Sequence, residues 1–311
     1  MNLKRRDFLI GGGLGAIALI AAQYAQAIVD WLGLPLFLLP AMPAVGLEPA
    51  LIPEPDPPDL ILRFAITADA GSGDYNQYQV ARAMTRYYQQ HPFPLVLLAG
   101  DNIYTNGEVW KLGRVFERPY QGLLEAKVRF QACLGNHDIR TNNGEGQLGY
   151  APFNMPGRYY TFEQPSVQFF VLDTNDNADW VLQLSWLEQE LSQSTAPWKV
   201  VYGHHPLYSC GRYGNSPNLI QKLAPLFARY GVQLYINGHE HNYQRSQPLQ
   251  GTTYLVCGNG GARLYPVEMR DWVAMADSRH GFSVVEVYGD RLQIQAIDTQ
   301  GQVFDQCLIK G

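Results

Sequence analysis

Five stretches of this 311-residue chain end an apolar run in side chains that bind hard or borderline metals: Asp69, Asp101 with Tyr104, Asn136-His137, His204-His205, and His239 with His241. Five of the seven histidines fall at these ends, whereas His91 beside Pro92 and His280 beside Gly281 occupy turn-like contexts. One strand-end histidine is ordinary structure. Five ends carrying carboxylate, imidazole, amide and phenol point to a metal pocket. Asp69, Asp101, Tyr104, Asn136, His204, His239 and His241 suffice for two ions if Asp101 bridges, with four protein ligands each and room for water and substrate. Two ions roughly 3.5–4 Å apart clamp the attacking and leaving oxygens of an in-line displacement, as in phosphoryl hydrolysis. No Ser-His-Asp pattern or Walker-type loop competes, and Gly71-Ser72-Gly73 and Gly258-Asn259-Gly260-Gly261 read as short pocket-rim turns.

The elements that must hold these ends alternate. Apolar, β-branched runs predict strands over 61–67, 95–99 (broken at Gly100), 128–134, 167–172, 198–202 and 232–236, then 252–257, 281–287 and 292–297. Helical spacing predicts helices over 75–90, 112–124, 183–191 and 219–230, the last despite Pro225. Residues 140–158 are rich in Gly and Asn and read as a polar loop at the pocket rim. Alternating elements followed by hairpins give an α/β sandwich of sheets flanked by helices. Asp138 and Asp173 are expected to orient neighbours or cap loops, and Arg140, Arg212 and Arg263 to be solvated rim charges.

Net charge is -5, so no polybasic surface argues for nucleic acid or an anionic membrane as partner. Lys4-Arg5-Arg6-Asp7-Phe8-Leu9, the Gly-rich apolar stretch to Ile20 and Ala25-Gln26-Ala27 make residues 1–27 a twin-arginine-type signal, with the twin-arginine translocase as partner and a periplasmic or extracellular destination. Its removal would leave a net charge of -7. Residues 28–58 read as an apolar, then Pro-rich linker that wraps the domain or tethers it near a membrane, and 59–311 as the catalytic domain. Cys133, Cys210, Cys257 and Cys307 lack metal spacing, and Cys133 and Cys257 in apolar runs read as buried small hydrophobes.

The ordered set Asp69, Gly100-Asp101-Asn102-Ile103-Tyr104, Gly135-Asn136-His137-Asp138, Val201-Tyr202-Gly203-His204 and Gly238-His239-Glu240-His241 resembles the calcineurin-like metallophosphoesterases. Tyr104, three residues after Asp101, resembles the purple acid phosphatase branch. His204-His205-Pro206-Leu207-Tyr208-Ser209 and Phe153-Asn154-Met155-Pro156-Gly157-Arg158-Tyr159-Tyr160 are similar to its small tartrate-resistant type. The resemblance implies a four-layer α/β/β/α sandwich of two mixed sheets with metals at the strand ends. It implies Fe(III) at Asp69, Asp101, Tyr104 and His241, and divalent Fe, Zn or Mn at Asp101, Asn136, His204 and His239. His137 would lie outside the ligand shell, near the leaving oxygen, and a metal-bound hydroxide would hydrolyse a small phosphorylated substrate, a phosphate monoester. Two positions depart from the pattern: Ala68 replaces a turn glycine, and Tyr213 replaces an outer histidine. A phenol hydrogen-bonds phosphate but gives up its proton poorly near neutral pH. Tyr213 and His205 are the candidate substrate contacts beyond the ligands. A phosphodiesterase or nucleotidase on the same site, a silent metal-binding relative and a mainly redox role are the rival readings.

Overall fold

In the computed structural model, which describes residues 55–311, the alternating runs form thirteen strands in two sheets. The first sheet contains β1 (Leu62–Thr67), β2 (Leu95–Leu98), β3 (Arg129–Ala132), β11 (Gly281–Val287), β12 (Arg291–Asp298) and β13 (Val303–Lys310), in the order β13-β12-β11-β1-β2-β3. The second contains β4 (Tyr160–Gln164), β5 (Val167–Val171), β6 (Trp198–Tyr202), β7 (Leu234–Asn237), β8 (Tyr243–Ser246), β9 (Thr253–Cys257) and β10 (Val273–Asp277), in the order β10-β8-β9-β7-β6-β5-β4. Both are mixed. Strands β1, β2 and β3 run parallel, as do β5, β6, β7 and β9, while the remaining pairings are antiparallel.

The sheets face each other across one core. Phe64 of β1 meets Phe169 of β5 edge to face at 5.2 Å, and the buried Trp198 Nε1 donates to the Tyr288 carbonyl at 2.9 Å. Strand β11 is buried along its whole length, Ser283 and Glu286 included. Helix α1 (Tyr75–Gln90) lays Val80, Ala83 and Met84 against the first sheet and starts at Asp74, whose carboxylate accepts from Asn76 N and Gln77 N. Of the short helices α2 (Gln121–Glu125) and α3 (Glu145–Leu148) and the longer α4 (Trp180–Gln193) and α5 (Pro217–Tyr230), the last two bury Leu187, Leu191, Leu223 and Phe227 against the second sheet. Helix, sheet, sheet and helix form the four layers expected, and the parallel strands present their carboxyl ends to one side.

The differences from the sequence reading have local causes. The helix expected over 112–124 is a 3₁₀ turn at Val109–Lys111, a wide π turn at Gly113–Glu117 and then α2, because Pro119 lacks the N–H a continuous helix needs. Residues 140–158 are more than a polar loop: α3 and two 3₁₀ turns fold them back so that Gln147, Phe153 and Met155 are buried. Strands β4, β8, β10 and β13 escaped the reading: β4, β8 and β13 mix polar with apolar residues, and the apolar Val273–Ala276 of β10 is short and largely half-exposed. All four cysteines are free, and Cys133 and Cys257 are buried. The signal expected at 1–27 and most of the 28–58 linker lie outside the described residues. Among those described, no helix is long and apolar enough to cross a membrane.

Candidate metal centre

Every candidate ligand follows the carboxyl end of a strand: Asp69 after β1, Asp101 and Tyr104 after β2, Asn136 after β3, His204 after β6, and His239 and His241 after β7. Both sheets contribute, so the site lies where the two meet. The backbone turns sharply there. Asp69, Asp101 and His239 have φ of 54°, 52° and 68°, left-handed values unfavourable for residues with a side chain. Gly100 (φ +87°) permits the approach of His204, since a Cβ there would stand 2.6 Å from His204 Nδ1.

The donors converge in two sets. In one, Tyr104 Oη lies 2.9 Å from Asp69 Oδ1 and 3.0 Å from His241 Nε2, and these last two are 3.3 Å apart. In the other, Asn136 Oδ1 lies 3.1 Å from His204 Nε2 and 3.0 Å from His239 Nδ1. Asp101 belongs to both neighbourhoods: its Oδ1 is 3.4 Å from His204 Nε2, and its carboxylate groups with Asp69 and His241 within 4.8 Å. Ligands about 2.1 Å from one ion and at right angles stand about 3.0 Å apart, so the spacing suits a coordination shell. The far nitrogens are fixed as a ligand shell requires. His204 Nδ1 meets the Ala99 carbonyl at 3.0 Å and His241 Nδ1 the Arg263 carbonyl at 2.8 Å, which turns each Nε2 inward.

Asp69 and Asp101 are almost fully buried, and among the described residues neither pairs with Lys or Arg. Burial opposes the Asp101 charge, but His204 and His137 outweigh it and hold the carboxyl far below the usual range. Conversely, burial disfavours a charged His204, and Asp101 overrides this to lift the imidazole to about 10. Burial and His204 together push His239 down to about 4. Burial, then Asp69 and Asp101, pushes the Tyr104 phenol well above its ordinary value. From the protein's own groups alone the phenol keeps its proton; a bound cation reverses that balance. The carboxylate-phenol set suits a hard, highly charged ion, and the imidazole-amide set a borderline divalent one.

The supporting shell is dense. Asp138 accepts from Gly135 N, Asn102 N and Nδ2, Ile103 N and Gln147 Nε2, all within 2.8–3.2 Å, so one buried carboxylate ties the β2 and β3 loops together. Burial and Asp101 push it up to about 7, while the converging N–H groups favour its ionised form. Asp173 receives Arg158 Nε at 2.7 Å and bonds Asn175, matching its expected orienting role. His137 donates its backbone N–H to Asp101 Oδ1 at 2.9 Å and places Nδ1 2.6 Å from the Thr105 carbonyl. His205 is drawn in further than expected, with its ring 4.5 Å from that of His239 and Nδ1 2.9 Å from Thr174 Oγ1. Tyr213 stacks on His239 with ring centroids 4.5 Å apart.

Four neighbours were not assigned a role at the site from sequence. Arg140 is an exposed rim charge, as expected, and its Nη2 also lies 3.3 Å from His137 Nε2. Thr174 Oγ1 receives the backbone N–H groups of His204 and His205. Tyr265 stacks on His241 at 4.2 Å and 14°. Glu240, fully buried between two candidate ligands, accepts from Ser209 Oγ, Arg212 N and Tyr213 N. Only Glu240 gave a signal, as a carboxylate inside the His-Glu-His run. Arg263 is exposed, and Arg212 lies over the rings of Tyr213 and Tyr265 at 5.6 and 5.0 Å.

Residues 62–243 match the calcineurin-like phosphoesterase family. The chain belongs to it. Tartrate-resistant acid phosphatase type 5 of Rattus norvegicus is 27% identical, over 84% of this chain and 95% of that protein. Purple acid phosphatase 4 of Arabidopsis thaliana is 28% identical, over 85% of this chain and 88% of that protein. These relatives put this phosphoesterase in the purple acid phosphatase branch. The solved structure of purple acid phosphatase PPD1 from yellow lupin shares the fold with a TM-score of 0.69 at 19% identity, covering 80% of this chain and 53% of that one. GAP50, the anchor in the inner membrane complex of Plasmodium, superposes with a TM-score of 0.70 at 21% identity, covering 80% of this chain and 88% of that one.

Proposed function

We propose that this metallophosphoesterase is a dinuclear phosphatase that hydrolyses phosphate monoesters. The observation that carries the reading is the pair of donor sets sharing Asp101. Asp69, Tyr104 and His241 would hold Fe(III), and Asn136, His204 and His239 a divalent Fe, Zn or Mn, with Asp101 common to both. Bound there, the ions supply Lewis-acid neutralisation of the phosphoryl oxygens and a water of lowered pKa.

The chain's own residues account for the rest. Asp101 sets the spacing of the two donor sets, and Asp138 fixes the loops on which Asp101 and Asn136 sit. His137, with Nδ1 on the Thr105 carbonyl, would protonate the departing alkoxide through Nε2, which must first leave its 3.3 Å contact with Arg140 Nη2. Hydrolysis breaks the P–O bond, water supplies the new oxygen on phosphorus, and the alcohol leaves with one proton. His205 and Tyr213 border the approach to the nitrogen-rich set.

The test is metal analysis and visible spectroscopy on protein matured in its host, followed by turnover of p-nitrophenyl phosphate and bis-p-nitrophenyl phosphate. Two metals per chain with monoester turnover is the expected result. Diester-only turnover overturns the substrate class, and two bound metals without any turnover favour a silent relative. Export through the twin-arginine route is part of the proposal. Fusing residues 1–27 to a reporter that needs this translocase tests it, and Lys substitution of both Arg5 and Arg6 should abolish export.

A further inference from the structure

By distance alone, His204, His205 and His239 each bring a ring nitrogen within 4.8 Å of the others, a three-imidazole set that could share one ion. The hydrogen bonds around Thr174 separate His205 from the other two. Thr174 is buried three residues beyond β5, and its Oγ1 accepts the backbone N–H of His204 at 3.1 Å and of His205 at 2.9 Å. A hydroxyl has two acceptor lone pairs and one hydrogen. Both lone pairs are taken, so in the 2.9 Å contact with His205 Nδ1 the hydroxyl donates and the ring nitrogen accepts. A proton on Nδ1 would set a third donor against the same oxygen and leave the hydroxyl hydrogen without an acceptor. The His205 hydrogen therefore sits on Nε2, an atom with no partner among the described residues that opens on the cleft of about 490 Å³ bordered by Asn136 and His239.

His204 is held the other way. Its Nδ1 meets the Ala99 carbonyl, which can only accept, so Nδ1 carries the hydrogen and Nε2 is bare for an ion. Thr174 itself is fixed by its methyl group, which packs on Gly203: a Cβ there would stand 2.6 Å from Thr174 Cγ2. This seat sets the rotamer and aims Oγ1 at the two N–H groups. Two adjacent histidines thus take opposite tautomers, each imposed by its partner. We propose that Thr174 is a positioning residue that holds His205 as an Nε2–H donor to a phosphoryl oxygen of the bound ester and keeps it out of the ligand shell of the divalent ion. The donor role rests on the phosphomonoesterase reading of the neighbouring donor sets; the tautomer does not.

The experiment is nitrogen-15 NMR of histidine-labelled protein loaded with zinc, which is diamagnetic, with the His205 signals identified by their loss in His205→Ala. Nε2 should appear as the protonated nitrogen and Nδ1 as the unprotonated one, and inorganic phosphate should shift the Nε2–H signal. A protonated Nδ1, a zinc-bound His205 nitrogen or no shift with phosphate overturns the proposal. His205→Ala should retain two metals per chain and raise KM for p-nitrophenyl phosphate about tenfold, the loss expected for one hydrogen bond to a charged group; loss of a metal makes His205 a ligand and overturns the proposal. Thr174→Val keeps the methyl seat without the hydroxyl and should match that rise in KM. Thr174→Ser keeps the hydroxyl and should stay within about threefold of the unsubstituted protein. In the His205→Ala background, Thr174→Val should cost little more; losses that multiply would mean that Thr174 acts through His204 alone and would overturn its assigned role. Absence of turnover with every ester overturns the phosphatase reading instead, and the NMR signals and metal content still decide whether His205 is a donor or a ligand.

Discussion

Glu286 and Asp305 carry their charges within the first sheet under the hold of arginines: Arg63 reaches Glu286 at 2.7 Å, and Arg245 grips Asp305 through two contacts of 2.6 and 2.9 Å. Asp69 and Asp101, buried more deeply still, meet only histidine among basic side chains of the described residues, at 3.3–3.9 Å. The structural carboxylates bring their own cations. Those at the strand ends face only imidazoles, whose protons a bound metal would displace. That contrast marks where a cation from outside the chain completes the fold's electrostatics.

The contrast can be broken from either side. Replacing Asp101 with Ala removes the group common to both donor sets and should lower kcat/KM by roughly a thousandfold or more, with metal content falling in parallel. Tyr104→Phe acts on the oxygen-rich set alone: any visible charge-transfer band should vanish, and a purple band that persists would refute the assignment of that residue. Chelation should lower the melting temperature of the unsubstituted protein by several degrees and that of Asp101→Ala much less, read by calorimetry with and without chelator. On the structural side, Glu286→Ala leaves the nearly buried Arg63 with only Asp56 at 2.7 Å as a carboxylate partner and should cost about 1–3 kcal/mol in denaturant unfolding.

The smallest effect sharpens the picture with pH. Burial opposes the Asp305 charge, but Arg245 and Tyr243 outweigh it and hold its carboxyl below the usual range. Its stabilisation is therefore present above the unfolded value near 3.9 and lost as pH falls through the lower folded value. Asp305→Asn should be less stable than the unsubstituted protein by about 1–3 kcal/mol at pH 7, with the gap closing on acidification.

The candidate site was legible because metal-binding side chains are chemically distinctive and each follows an apolar run that can only be a buried strand. Asp69, Asp101, Asn136, His204 and His239 needed no knowledge of their neighbours to be singled out. Arg140, Thr174 and Tyr265 were not legible in this way, since each acts through a partner 3, 30 or 24 positions away that folding alone brings into contact. The parallel strands were read for the same reason as the site, while β8 and β13 hide their burial in polar residues: Tyr243 and Arg245 of β8 close on Asp305 of β13. Pro119 could have warned against a regular helix over 112–124, whereas the burial of Phe153 and Met155 depends on surfaces far along the chain.

The left-handed backbone at Asp69, Asp101 and His239 has a consequence for engineering. Such a conformation costs about 1–3 kcal/mol per residue when a side chain is present, and two of the three also bury a carboxylate. Glycine at Asp69 would relieve both burdens and should raise the melting temperature of the metal-free protein while it removes a ligand; Asp101 differs, because the histidines that hold its carboxyl far below the usual range make its charge stabilising. A screen for thermostability alone would therefore drift toward an inert scaffold, and selection has to score metal retention alongside heat resistance.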